Sequence, residues 1–190
     1  IDLYDFNIIP VELISNIYEI VLGETVQKND KAFYTPAYLA DYIIEENCQG
    51  DLKNAKLLDP SCGSGIFLVL YYRKIVETRQ ESEYSDEYLI STMKNNIYGI
   101  DKNADAVCVA IFSLYLTILD YKNPKELAGF KFPDLLGENI ICADCFDDEK
   151  VRYIKKQQYA YIIGNPPWGR VPDSKLHMEY CKKHHLPQQN

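Results

Sequence analysis

Ala55-Lys56-Leu57-Leu58-Asp59-Pro60-Ser61-Cys62-Gly63-Ser64-Gly65 is the stretch on which the fold turns. Its first five residues form a short apolar run that meets a turn at Pro60, the pattern of a strand in a parallel sheet. Gly63, Ser64 and Gly65 let the backbone turn tightly, and a helix is expected from Ile66 to about Arg79. The same unit recurs downstream. Asn96 to Asp101 reads as a second strand, followed by a long apolar helix from Ala104 to Leu119. Ile140-Ile141-Cys142 reads as a third strand and Tyr159 to Ile163 as a fourth, which runs into Gly164-Asn165-Pro166-Pro167-Trp168. Strands alternating with helices imply an α/β domain with a largely parallel sheet.

Upstream, apolar residues from Ile9 to Leu22 recur near helical spacing and stop at Gly23, which predicts an amphipathic helix. Glu24 to Lys31 is polar and reads as a loop. Thr35-Pro36 reads as an N-cap followed by proline at the first helical position, opening a helix that ends near Asn47. Gln80 to Asn96 is polar, with a short helix around Glu87 to Met93. Lys122 to Leu136 reads as irregular, and the tail from Val171 to Asn190 as loop plus a helical turn. The expected organisation is a helical segment at 1–30, a main domain at 31–170 and a polar tail at 171–190.

The 190 residues carry 20 Lys and Arg against 28 Asp and Glu, a formal charge of -8. A domain that gripped nucleic-acid phosphates by itself would be basic, so the main phosphate-binding surface is expected elsewhere. No apolar run approaches the roughly 18–20 residues of a membrane helix, and no secretory signal pattern opens the chain. The first residue is Ile1 rather than methionine. The six scattered cysteines read as reduced, buried thiols of a cytoplasmic protein rather than a disulfide framework.

In open α/β sheets, ligands bind beyond the carboxyl ends of the strands. Each expected strand here ends in a polar cluster: Asp59 to Gly65, then Asp101, then Asp144, then Asn165 to Trp168. Four such clusters in order would converge on one rim. Small residues at Gly63 and Gly65 allow close approach to a ligand, and the helix behind them offers free N–H groups. The turn matches neither a GxGxxG fingerprint nor a P-loop. A carboxylate at Asp101 is placed to accept hydrogen bonds from ribose hydroxyls.

Phe33-Tyr34-Thr35-Pro36, Asp59-Pro60-Ser61-Cys62-Gly63-Ser64-Gly65, Gly99-Ile100-Asp101, Ala143-Asp144 and Asn165-Pro166-Pro167-Trp168 together resemble the ordered motifs of the N6-adenine DNA methyltransferases, as in type I and type IIG restriction–modification methylases. The resemblance spans about Phe33 to Arg170. It implies a Rossmann-like methyltransferase fold, with a mostly parallel sheet, helices on both faces and further strands outside this stretch. It also implies S-adenosylmethionine as cofactor. Tyr34, Thr35 and Pro36 would help hold its methionine end. Pro60, Cys62, Gly63 and Gly65 would lie against it with Asp59 nearby. Asp101 would take the ribose and Asp144 the adenine amino group, while either Cys145 or Phe146 would pack on the adenine ring.

The last cluster also has its own chemistry. An adenine amine is a poor nucleophile because its lone pair is delocalised into the ring. Two acceptors on its N–H groups draw the nitrogen toward tetrahedral geometry and free the pair. Asn165 offers a side-chain carbonyl and Pro166 a main-chain carbonyl, and consecutive prolines at Pro166 and Pro167 fix the backbone. Trp168 offers a face for an extruded base, worth about 1–3 kcal/mol. The resemblance therefore implies DNA as partner, with a target-recognition domain on a longer polypeptide that is compatible with a nuclease domain as well, and little methylation by this chain alone. Two other readings stay open: a methyltransferase acting on protein glutamine or an RNA amine, and a non-catalytic cofactor-binding scaffold. Cys142-Ala143-Asp144-Cys145 with Cys181, His184 and His185 has the composition of a zinc site, but the spacing is poor and no metal is expected.

Overall fold

The computed structural model describes residues 35–123, 127, 129–167 and 175–186 of the chain. The expected helix at Ile9 to Leu22 and the loop after it lie outside the described residues, as do Phe33, Tyr34 and Trp168. The elements are α1 (Ala37–Asn47), β1 (Leu57–Asp59), α2 (Ile66–Val76), α3 (Asp86–Asn96), β2 (Ile97–Asp101), α4 (Ala104–Asp120), β3 (Ile140–Cys142), α5 (Arg152–Lys155), β4 (Tyr161–Ile162) and α6 (Lys175–Lys183). A 3₁₀ turn, Glu81–Glu83, precedes α3.

The four strands form one parallel sheet in the order β3-β2-β1-β4. The chain steps outward from β1 to β2 to β3, then crosses back to add β4 on the other side of β1. A switch point therefore lies between the carboxyl ends of β1 and β4. Strand residues alternate between two buried faces, as a covered parallel sheet requires. Leu57, Ile97 and Ile140 pack with α1 to α4 in the larger core, around Leu68, Tyr72, Leu89, Met93 and Leu114. Leu58, Tyr98, Ile100 and Ile141 pack on the opposite face with Val151 and Ile154 at α5. That second layer stops short of β4, where Ile162 is 67% exposed.

Several expectations are corrected by one to three residues. Pro36, not Thr35, is the N-cap: its extended ψ of 139° delays the helix to Ala37, and no side chain caps it. Helix α2 ends at Val76 rather than Arg79 because Thr78 and Arg79 donate to carbonyls three residues back, not four. Strands β1 and β4 are shorter than read, β1 starting at Leu57 and β4 covering only Tyr161–Ile162. Helix α3 is longer than the expected Glu87–Met93. Ser85 Oγ accepts the Tyr88 N–H at 3.2 Å, and Asp86 and Glu87 in the first turn suit the helix dipole. Helix α5 has no counterpart in the sequence reading, and the tail carries the nine-residue α6 instead of a single turn. All six cysteines are free, yet Cys108 and Cys142 are exposed, so burial holds fully only for Cys48, Cys62 and Cys181.

Candidate functional site at the strand ends

Because all four strands run parallel, their carboxyl ends share one edge. Asp59 ends β1 beside Gly99, Asp101 pairs with Cys142, and Leu58 pairs with Ile162 just ahead of Asn165. Asp59, Asp101, Asp144 and Asn165 thus come to one rim.

The β1 turn is stitched to β2 by backbone. Cys62 N–H donates to Ile100 O at 2.9 Å, and Gly65 N–H donates to Cys62 O at 2.8 Å. Asp101 fixes both sides of the turn: Oδ2 accepts Gly63 N–H at 2.9 Å and Oδ1 accepts Asn103 N–H at 2.8 Å. Each carboxylate oxygen keeps further acceptor capacity toward the rim. Gly65 caps α2 with a left-handed φ of 90°, and a Cβ there would lie 3.1 Å from Ala110 Cβ of α4. Only glycine supplies both the conformation and the space. The first turn of α2 has no side-chain cap, which leaves its N–H groups directed at the rim. Cys62 is buried, its sulfur packed close to Gly99. Burial pushes its thiol well above the ordinary range, so it is an inert packing group.

Asp59 is 1% exposed. Its Oδ1 accepts the Ser61 N–H at 2.9 Å. Burial pushes its carboxyl up to about 7, a rise the Ser61 hydrogen bond opposes and Asp101 reinforces. Pro60 and Ser61 are half-buried, and Ser61 Oγ is buried without a hydrogen-bond partner. On the far side of Asp59 stands Gly164. A Cβ on Gly164 would overlap Asp59 Oδ1 and lie 3.2 Å from both Asp59 Cγ and Pro60 Cδ. The sequence reading has Gly164 only as the residue that leads into the last cluster, with no role of its own. Its signal was a glycine directly before Asn165; its partner across the sheet was not legible.

Asp144 Oδ1 accepts Phe146 N–H at 2.9 Å, which closes a tight turn after β3. Cys145 is partly buried against the smaller core. The Phe146 ring lies 5.0 Å from His177 and 5.3 Å from Tyr180 of α6. Asn165 is half-buried and Pro166 and Pro167 are exposed at the end of β4. Thr35 is half-buried and Pro36 exposed at the start of α1.

Beyond the rim, Asp148 gathers Lys155, Lys183 and His184 around one carboxylate. Hydrogen bonds from Lys155 first, then Lys183 and His184, hold it far below the ordinary carboxylate range. His184 also stacks on Tyr180. His184 itself stays exposed, and His177 is half-buried against Phe146. A cleft of about 620 Å³ opens here, lined by Asp148, Glu149, Arg152, Lys155, Lys156 and Lys183. Its walls are charged, whereas a small-molecule site is mostly apolar with a few placed polar groups, so the strand-end rim is the stronger candidate. Among the described residues, no three His, Cys, Asp or Glu side chains come together as a metal site. Among them too, no helix is long and apolar enough to cross a membrane.

Comparison with known proteins places this geometry. The chain is 23% identical to the adenine-specific methyltransferase PglX of Streptomyces coelicolor, over 84% of this chain and 16% of that protein. It is 26% identical to the type II restriction enzyme and methyltransferase RM.Eco57I of Escherichia coli, over 87% of this chain and 22% of that one. With the type II methyltransferase M.BstVI of Geobacillus stearothermophilus it shares 29% identity, over 80% of this chain and 27% of that one. The chain thus spans less than a third of these relatives. Its fold matches a modification subunit of a putative type I restriction enzyme from Vibrio vulnificus, with a TM-score of 0.56 at 20% identity, covering 87% of this chain and 30% of that one. It also matches the type ISP restriction–modification enzyme LlaBIII bound to DNA, with a TM-score of 0.61 at 17% identity, covering 90% of this chain and 13% of that one. The sheet is accordingly that of a Rossmann-like methyltransferase. The profile described as N-6 DNA Methylase matches residues 10–189, and the chain belongs to that family.

Proposed function

We propose that this chain is the cofactor-binding and catalytic-motif portion of an enzyme that methylates the N6 amine of adenine in DNA, with S-adenosylmethionine as donor. The observation that carries the reading is the convergence of Asp59, Asp101, Asp144 and Asn165 on one rim, with the switch point between β1 and β4 at its centre. The residues fit the cofactor. The unpartnered Ser61 Oγ, the uncapped start of α2 and the spare acceptor capacity of Asp101 all border one turn. Pro60, Cys62, Gly63 and Gly65 shape that turn, and Asp101 accepts from the ribose hydroxyls. Asp144 accepts from the adenine amine, and Phe146, rather than the inward-packed Cys145, faces the ring. Tyr34, Thr35 and Pro36 close the methionine end. When bound, the cofactor supplies an electrophilic methyl group.

The remaining chemistry falls to the β4 loop. The Asn165 side-chain carbonyl and the Pro166 main-chain carbonyl accept the two N–H groups of the target amine, which directs its lone pair at the methyl. Pro166 and Pro167 preset that geometry at little entropic cost. Trp168 stacks on the base after it leaves the duplex. No covalent enzyme intermediate is required. Sequence-specific DNA contacts lie on a target-recognition domain of a longer cytoplasmic polypeptide, in a restriction–modification or phage-defence setting, and a nuclease domain is compatible with it.

The test has two arms. Calorimetric titration of the chain with S-adenosylmethionine is expected to show binding. Labelled methyl transfer to adenine in DNA is then measured with the longer gene product and its Asn165→Ala variant, which should lose at least about 10²-fold in rate. Transfer undiminished in that variant, or transfer to protein or RNA but not DNA, would overturn the reading.

A further inference from the structure

We propose that Gly164 is a positioning residue: the open face left by its missing side chain seats the Asp59 carboxyl, and this contact sets the distance between the β1 turn and the 165–167 loop. The inference rests on the reading above, in which the turn holds the donor and the loop holds the target amine.

Neither partner can yield. The Asp59 carboxyl is buried and tied through Oδ1 to Ser61 N–H at 2.9 Å, inside a turn that is itself bonded to Ile100 and Asp101. Behind it stands the rigid Pro60 ring, 3.2 Å from where the Gly164 Cβ would lie. On the other side, Ile163 N–H donates to Leu58 O at 3.0 Å, which locks the residue before Gly164 to β1. Pro166 and Pro167, just beyond Asn165, restrict the backbone after it. Residue 164 thus sits between a ladder bond and two prolines, with no slack to absorb even one methyl group. The partly neutral carboxyl that burial favours at Asp59 suits an apolar Cα face. The consequence is chemical. In-line transfer needs the reacting atoms about 3–3.5 Å apart, and a misplacement of about 1 Å costs on the order of 10²-fold. A side chain at 164 must either push the loop outward or displace the carboxyl into the cofactor turn.

The test is a double-substitution cycle on the whole chain, comparing wild type, Gly164→Ala, Asp59→Ala and the pair. Three signals are read: thermal midpoint, S-adenosylmethionine affinity, and emission of Trp168, the single tryptophan, four residues beyond Gly164. Gly164→Ala should lower the midpoint by about 4–10 °C and weaken cofactor binding at least about 10-fold. In the Asp59→Ala background the added alanine should cost less than about 2 °C. The cofactor-dependent change in Trp168 emission should vanish in Gly164→Ala and stay absent in the pair, since the seat is gone even though the clash is relieved. An unchanged Gly164→Ala, an equal loss in both backgrounds, or full recovery of every signal in the pair would overturn the proposal. A wild type that melts cooperatively yet takes up no cofactor would overturn the donor reading and this inference with it. A wild type that binds, with an uncoupled cycle, overturns this inference alone.

Discussion

The two ends of the rim are made of different materials. At the β1–β4 crossing the contacts are backbone: ladder bonds, a glycine turn, and one buried carboxyl seated on a bare Cα. At the β3 corner they are side chains: Phe146 on His177 and Tyr180, and Asp148 among Lys155, Lys183 and His184. The first kind tolerates almost no change of shape, because close-packed backbone has nowhere to go. The second is held by partly exposed ion pairs, which are weak one at a time and screened by salt. The region proposed to place a reacting atom is thus the rigid one, and the region beside the proposed adenine site is the adjustable one.

Asp59 gives the largest lever on that contrast. Its carboxyl is raised by burial to about 7 in the folded chain, against an ordinary 3.8. Between those values the folded state holds a proton that the unfolded chain has released. Stability from this group is therefore full below about pH 4 and lost as pH rises through about 7. A shift of that size corresponds to about 4 kcal/mol. Asp59→Asn should flatten the pH dependence of the melting midpoint between about pH 4 and 7 and raise the midpoint at pH 8. A slope that survives the substitution would mean that another group carries it.

Asp101 comes next. Replacing it with alanine strips the acceptor from both Gly63 N–H and Asn103 N–H. Hydrogen bonds to a charged group are worth about 1.5–3 kcal/mol each. Asp101→Ala should weaken S-adenosylmethionine binding by about 10²-fold in calorimetry, with Asp101→Asn falling between it and wild type. Equal binding by all three would separate the turn from the cofactor.

The legibility of the sequence follows the same division. Leu57 to Gly65, Ile97 to Asp101 and Ile140 to Cys142 were readable because a strand buried on both faces must be continuously apolar and must end in turn residues. The rim followed, because parallel strands bring their ends together whatever the sequence between them. Contacts across the sheet were not readable. Nothing in the sequence near Gly164 announces that Asp59 occupies its missing Cβ. Helix α5 escaped because Val151 and Ile154 alone carry its burial, too few to show a period. Helix α6 escaped because only Cys181 among its nine residues is buried, the rest of its docking resting on rings and charges.

Gly65 tests the rigid end at smaller cost. Alanine there would take a left-handed φ of 90° and press on Ala110 of α4 at 3.1 Å. Strain and crowding together should cost about 2–3 kcal/mol, a drop of about 4–10 °C in melting midpoint. Pairing it with Ala110→Gly should recover the crowding part only, leaving the strain. Complete recovery would show that the turn accepts a side chain at this φ after all.

Asp148 supplies the smallest effect and the sharpest test of the adjustable end. Asp148→Ala removes the anion shared by Lys155, Lys183 and His184 but leaves the Phe146–Tyr180 and Phe146–His177 ring contacts in place. Because the group is solvent-accessible, the global melting midpoint should move by less than about 2 °C. Local opening of α6 should nevertheless rise, since few buried apolar contacts hold this helix. Trypsin cleavage at Lys182 and Lys183 should quicken by about 2–5-fold in Asp148→Ala, and about 0.5 M salt should bring wild type toward the same rate while leaving the variant unchanged. If salt speeds cleavage of the variant as much as of wild type, the ion pairs are not what fastens α6. The rings would then hold it unaided, and the two ends of the rim would be equally rigid.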